Sequence, residues 1–277
     1  MAATLRVVTW NIRSAIGTGP FPDRWWTRID ADRLRAIGVF LASLDADLVA
    51  LQEVAMLSSN GDLVDNPGDL GRQLGMHVQY GAVRTFPVTD GDAVTGAGTF
   101  GNAILTRLPI HSGHTVALPA APMHAVVEPN GSDHPAAGFR YADAPPSIRE
   151  PRCLLMVELD GWRVGTAHFS HIGSGERLLQ AEATVTAFGD ASPALLVGDL
   201  NAAVDAAELA PFATWADGFA EPAGDPARIS NYEDMRIDHV LVRGASVHGC
   251  RVLRQSGDLS DHFPVLATLE LSPISAP

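Results

Sequence analysis

LRVVTWN, residues 5–11, and LVALQE, residues 48–53, are two short β-rich runs that end in polar side chains, Asn11 and Glu53. Between them, residues 25–44 carry apolar side chains at helical spacing: Trp25, Ile29, Ile37, Leu41 and Leu44, with Leu34 and Phe40 alongside. Strand, long helix, strand is the predicted order, and it is how an α/β protein opens. Of Trp25 and Trp26, one is expected in the core and the other nearer the surface. Working outward, residues 68–75 read as a short second helix, 77–83 as an alternating strand and 102–106 as another. The rhythm then returns. Residues 154–159 and 162–169 face each other across Asp160-Gly161, a two-residue hairpin signal. Residues 175–188 have a helical pattern, with Leu178, Leu179, Ala183, Val185 and Phe188 as core candidates. Apolar runs at 194–197, 237–242 and 265–271 follow. Two packed sheets flanked by helices fit this order.

With 277 residues, 46% of them hydrophobic, the chain can bury one large core. It reads as a single domain over 1–277, with a loop-like insertion at about 118–151 that is rich in Ala, Pro and His. His111, His114, His124 and His134 in and around that stretch lack metal-ligand spacing. The formal net charge is −13, and all 19 basic residues are arginines. No basic tail or stripe is present, which lowers the expectation of DNA or RNA as a partner. Cys153 and Cys250 are too few for a disulfide framework, and Cys153 reads as a buried, reduced thiol. The first residues lack a charged segment followed by a long apolar one, and no run approaches a membrane span, so a cytoplasmic location is the expectation.

The polar residues fall in a pattern. VVTWN ends in Asn11, LVALQE in Glu53, RVGTAH in His168, and LLVGDLN in Asp199 and Asn201. SDH places Asp261 and His262 directly before the apolar FPVLATL, and RIDHVLV carries Asp238 at the start of its run. Carboxylates at the ends of buried strands are costly unless paired or metal-bound. Oxygen donors from Asp, Glu and Asn suit Mg²⁺ or Mn²⁺ better than structural zinc. Imidazoles beside carboxylates suit proton transfer near neutral pH.

Seven motifs occur in the order found in the endonuclease/exonuclease/phosphatase superfamily, which this sequence resembles: TWNIR (9–13), LQE (51–53), GNAILT (101–106), TAHFSH (166–171), GDLNA (198–202), RIDHVLV (236–242) and SDHFPV (260–265). The stretch HIGSGERLLQAE (171–182) is similar to the family's helix after its central histidine. The resemblance implies the deoxyribonuclease I-like fold, an α/β (α+β) four-layer helix–sheet–sheet–helix sandwich with the site at one edge of the sheets. It implies Asn11, Glu53 and Asp261 as metal residues for one or two Mg²⁺ or Mn²⁺ ions. His168, Asp199, Asn201 and the pair His262–Asp238 take catalytic roles. Two departures stand out: the family's Asn-Thr-His reads Thr166-Ala167-His168, and the aromatic after the late Asp is His239. Both are expected to bear on substrate preference.

Substrate contact is expected from Asn102, Arg13, Arg177 and His171, each against a plainer reading. For the arginines it is ion pairing, for Asn102 a buried structural amide, and for His171 a solvated loop position. A metal-dependent hydrolase of a small or lipid-like phosphoester is the leading function. A nuclease acting on DNA or RNA is the first alternative, and an inactive binding module with the same fold is the second.

Overall fold

Strand β1 (Thr4–Asn11) buries both faces: Val7 lies in one hydrophobic cluster, and Val8 and Trp10 in another. Strand β9 (Ala194–Asp199) does the same, with Leu195 and Val197 on one side and Leu196 on the other. A strand that is apolar on both sides needs a covering layer on each. Two such strands, in two sheets that share one cluster, dictate four layers. The computed structural model describes residues 4–19, 24–120, 151–219 and 225–270.

The first sheet runs β12 (Ser246–Val252), β13 (Val265–Glu270), β1, β2 (Leu48–Ser59), β5 (Ala93–Thr106), β4 (His77–Asp90), with β3 (Asp62–Asp65) paired to β2. The second runs β10 (Ala216–Asp217), β11 (Asp238–Arg243), β9, β8 (Trp162–His168), β7 (Arg152–Leu159), β6 (Ser112–Leu118). Both sheets are mixed: β1–β2 and β8–β9 are parallel and their other pairings antiparallel. Val7, Leu48, Ile104, Leu155, Leu195 and Val265 fill the space between the sheets. Helices α1 (Ala31–Ser43) and α2 (Asn66–Leu74) cover the outside of the first sheet through Leu34, Ile37, Leu41 and Leu70. Helix α3 (Ser174–Phe188) covers the second through Ala181 and Phe188. This is the helix–sheet–sheet–helix sandwich of the deoxyribonuclease I-like type.

Several elements differ from the sequence reading. The long helix over 25–44 is broken. Trp25–Arg28 forms a 3-10 turn, and α1 begins only after Asp30, whose side chain accepts from the N–H groups of Asp32 and Arg33 as an N-cap. Trp25 is core, packed with Phe86 and Phe100, while Trp26 is half-buried and stacks on Phe86. Leu178 and Leu179 are exposed, and α3 instead buries Glu176, Arg177, Gln180 and Thr184 with Ala181 and Phe188. The face was misread because polar partners inside the fold satisfy those side chains. Strands β4 and β5 extend well beyond 77–83 and 102–106, and β6 includes His114. Most of the expected insertion at 118–151 lies outside the described residues. No described helix is long and apolar enough to cross a membrane.

Candidate active site

Strand register creates the site. His168 ends β8 and Asp199 ends β9, and the two are direct partners across the parallel pair. Asp238 opens β11 and faces Asp199 from the other side. Three titratable side chains therefore form one row at the edge of the second sheet. Gly198 permits the close approach. Its φ is +148°, and a Cβ there would fall 2.0 Å from the Ala167 carbonyl oxygen.

The first sheet supplies the opposing wall. Asn11 ends β1 beside Gln52 of β2. The register of β2 against β5 slips between Leu51 and Val54, a bulge that gives Glu53 a φ of 54°. Gln52 turns inward, donating from Nε2 to Thr9 Oγ1 at 3.1 Å and to Thr166 Oγ1 at 2.8 Å in the second sheet. Glu53 turns to the site. Asn11 Nδ2 joins the two walls, donating to Glu53 Oε1 at 3.0 Å and to Asp199 Oδ2 at 3.1 Å. The loop before β13 closes the arrangement: Trp10 Nε1 donates to the His262 carbonyl and Ser260 Oγ to the Asn11 carbonyl.

Within this frame His262 Nδ1 lies 2.8 Å from Asp238 Oδ2, and its Nε2 lies 3.7 Å from Asp199 Oδ2. His168 Nε2 approaches the same Asp199 oxygen at 3.4 Å. Burial pushes the Asp199 carboxyl up to about 6; the His262 charge opposes this and the Asp238 charge adds to it. Burial lowers His262, but the carboxylates of Asp238, Asp199 and Asp261 outweigh it and raise the imidazole to about 10. His168 is held well below the usual imidazole value, first by burial and then by the Arg152, His262 and His171 charges.

The donor set fits a hard divalent cation. Asp199, Asp238 and His262 offer ligand atoms within 4.8 Å of one another. Asp238 Oδ1 is buried and has no hydrogen-bond partner among the described residues. Glu53 adds a further carboxylate through the shared Asn11 amide, so anionic oxygens crowd a low-dielectric space. Asn11 itself faces these carboxylates with Nδ2, while its Oδ1 accepts from the Arg13 N–H at 3.1 Å. Ligation through its oxygen needs the amide to turn over.

The remaining expected residues are placed as follows. Asp261 Oδ2 pairs with Arg13 Nε at 3.1 Å, and Arg13 Nη1 also donates to the Gly17 carbonyl. Arg177 forms a buried pair with Glu208, at 2.9 Å from Nε and 2.8 Å from Nη2. Asn201, at φ 49°, donates its amide to the Phe169 carbonyl, and its own N–H bonds Asp199 Oδ1. Asn102 donates to the Cys153 carbonyl, the bond of a structural amide. Cys153 is buried and free, and burial pushes its thiol up to about 12.

Thr166 and His239 are fully buried. Thr166 links the sheets, and His239 holds the Ala202 carbonyl at 2.8 Å. Both departures from the family pattern are thus tied into the fold by their own hydrogen bonds. One residue escaped the sequence reading altogether. Arg152, at the start of β7 and buried, lies 3.0 Å from His168 Nδ1 and 3.1 Å from His171 Nδ1. Its only signal in the sequence is a basic residue immediately before the apolar run CLLMV.

A family model described as endonuclease/exonuclease/phosphatase matches residues 8–262. No curated protein sequence matches. Among solved structures, the chain is similar to an endonuclease/exonuclease/phosphatase from Beutenbergia cavernae, at 22% identity and a TM-score of 0.68, covering 99% of this chain and 73% of that one. It is similar to a mannosyl-6-phosphatase from Bacteroides thetaiotaomicron, at 21% identity and 0.61, covering 96% and 99%. It is also similar to the human Nocturnin catalytic domain with bound sulfate, at 15% identity and 0.64, covering 97% and 94%. At these identities the structural likeness speaks to the fold.

Proposed function

This chain belongs to the endonuclease/exonuclease/phosphatase family, and from that premise we propose that it is a divalent-metal-dependent hydrolase of a small or lipid-like phosphoester. The observation that carries the reading is the convergence of Asn11 and Glu53 from one sheet with His168, Asp199 and Asp238 from the other, and His262 from the loop before β13. Phosphoryl transfer needs groups on opposite sides of one phosphorus, and scattered strand ends supply that convergence.

Glu53, Asp199 and Asp261, with Asn11, would hold one or two Mg²⁺ or Mn²⁺ ions. The cluster of Asp199, Asp238 and His262 offers a second donor set, in which Asp238 Oδ2 is taken up by His262 Nδ1 and Asp238 Oδ1 is left open. A bound ion supplies positive charge to the phosphate oxygens and to the attacking water. Asp199 would accept the proton of the attacking water. The His262–Asp238 pair exchanges a proton with an ester oxygen through Nε2. His168 steadies a phosphoryl oxygen from the adjacent strand end. Asn201 keeps Asp199 in place through its backbone N–H.

The small-substrate reading is supported by the arginines nearest these residues. Arg13 is paired with Asp261 and Arg177 with Glu208, and Arg152 bonds two histidines. The test is turnover of p-nitrophenyl phosphate and bis-(p-nitrophenyl) phosphate with Mg²⁺, with Mn²⁺ and with chelator. Hydrolysis of at least one ester that chelation abolishes is the expected result. Folded protein that hydrolyses neither ester with either ion would favour a binding module.

A further inference from the structure

We propose that Arg152 is a positioning residue that fixes the tautomers of His168 and His171, leaving Nε2 of His168 as the N–H donor that faces Asp199. The proposal rests on the phosphoester-hydrolase reading for its purpose, but not for its geometry.

A guanidinium carries hydrogen on every nitrogen and is not deprotonated in proteins, so it donates and never accepts. A ring nitrogen at 3.0 Å from Arg152 Nη1 must therefore present a lone pair, and in His168 that nitrogen is Nδ1. The competing partner for Nδ1 is Glu53 Oε1, at 4.0 Å, which is beyond hydrogen-bond reach. With Nδ1 accepting, the proton of neutral His168 resides on Nε2, the nitrogen 3.4 Å from Asp199 Oδ2 and turned into the row of catalytic candidates. The same reasoning applies to His171, whose Nδ1 is 3.1 Å from Arg152 Nη2. One planar fork thus sets two rings, each from its own terminal nitrogen. A lysine ammonium has no such fixed geometry.

His262 is built the opposite way. Its Nδ1 faces a carboxylate oxygen, Asp238 Oδ2 at 2.8 Å, so Nδ1 carries the proton and Nε2 is left to gain or lose one. The two imidazoles flank the same Asp199 oxygen, yet one is capped by an obligate donor and the other by an acceptor. Their tautomers therefore differ. The hairpin makes this possible: β7 and β8 pair from Leu154–Ala167 to Leu159–Trp162, which brings Arg152 to the end of β8 where His168 lies.

The experiment is nitrogen-15 NMR of the imidazoles in metal-free protein labelled at histidine, with His168→Gln and His171→Gln used for assignment. The expected wild-type signals for His168 are an unprotonated Nδ1 and a protonated Nε2. Arg152→Met should move the His168 signals towards a mixture of tautomers. It should also lower kcat on the better p-nitrophenyl ester about tenfold or more with KM nearly unchanged, because a donor aimed at developing charge acts on the transition state. A wild-type His168 protonated at Nδ1 would overturn the proposal, even if Arg152→Met proved unable to fold. So would a folded Arg152→Met protein with unaltered His168 signals. An enzyme inactive on every ester would count against the hydrolase reading, while the spectrum would still decide the tautomers.

Discussion

Glu53 occupies a left-handed backbone conformation, φ 54°, and Asn201 does the same at 49°. Such a conformation costs a non-glycine residue roughly 1–2 kcal/mol, and sites of chemistry are where folds tolerate it. In the metal-free chain the Glu53 and Asp199 carboxylates also share a single amide hydrogen-bond donor group, Asn11 Nδ2. Glu53→Gln should therefore lower turnover at least about a hundredfold while leaving the metal-free melting temperature equal or higher. The rise in melting temperature that Mg²⁺ or Mn²⁺ gives the wild type should shrink, since stabilisation by a ligand follows its affinity. Unchanged turnover, or an undiminished metal-induced rise, would remove Glu53 from the metal site. At this scale the sequence was informative wherever a polar residue ended an apolar run, as with Asn11, Glu53, His168 and Asp199. It was silent on Arg152, because a single arginine beside a strand looks the same whether it meets solvent or two imidazoles.

Helix α3 shows where element-level reading fails. Periodicity marks Leu178 and Leu179 as inward, but Arg177 and Gln180 take the inner face. The reason is long-range: Arg177 meets Glu208 from a later 3-10 turn, and Gln180 bonds the Ser170 N–H and the Pro119 carbonyl. Partners distant in sequence are invisible to a local pattern. The hairpin at Asp160-Gly161 depends on two adjacent residues, and it is formed as its sequence predicts. The Arg177–Glu208 pair is buried on both sides, at 9% and 10% side-chain exposure. Removing one partner leaves an uncompensated charge, so Glu208→Ala should cost about 3–5 kcal/mol in urea unfolding. Joint replacement by Met at 177 and Leu at 208 should cost much less. If the single variant unfolds at the wild-type midpoint, the pair contributes nothing to the docking of α3.

For the whole molecule, charge is the governing quantity. A nuclease gains affinity by neutralising several backbone phosphates, each contact normally using a lysine or arginine. Here the excess of acid over base is 13 and lysine is absent, so long-range steering repels a polyanion. In a low-salt competition, where attraction to DNA would be strongest, p-nitrophenyl esters or sugar phosphates should be hydrolysed at enzyme levels that leave plasmid DNA intact. Efficient plasmid cleavage with small esters untouched would reverse the assignment. Two packed sheets flanked by helices were legible in the order of strands and helices, and the family resemblance supplied the four layers. Strand β12 was not legible, since its residues are mostly exposed and carry no alternation strong enough to notice.

Strand β1 lies between β2, the next strand made, and β13, the last of the described strands. The Trp10 indole finds its acceptor, the His262 carbonyl, 252 positions further on. On a ribosome, which delivers the chain from its first residue, the Asn11 amide and the Glu53 carboxylate emerge long before the His262 imidazole. Each partial length thus leaves one flank of β1 open. The proposed site is complete only once β13 docks against β1, so the order of synthesis assembles it last.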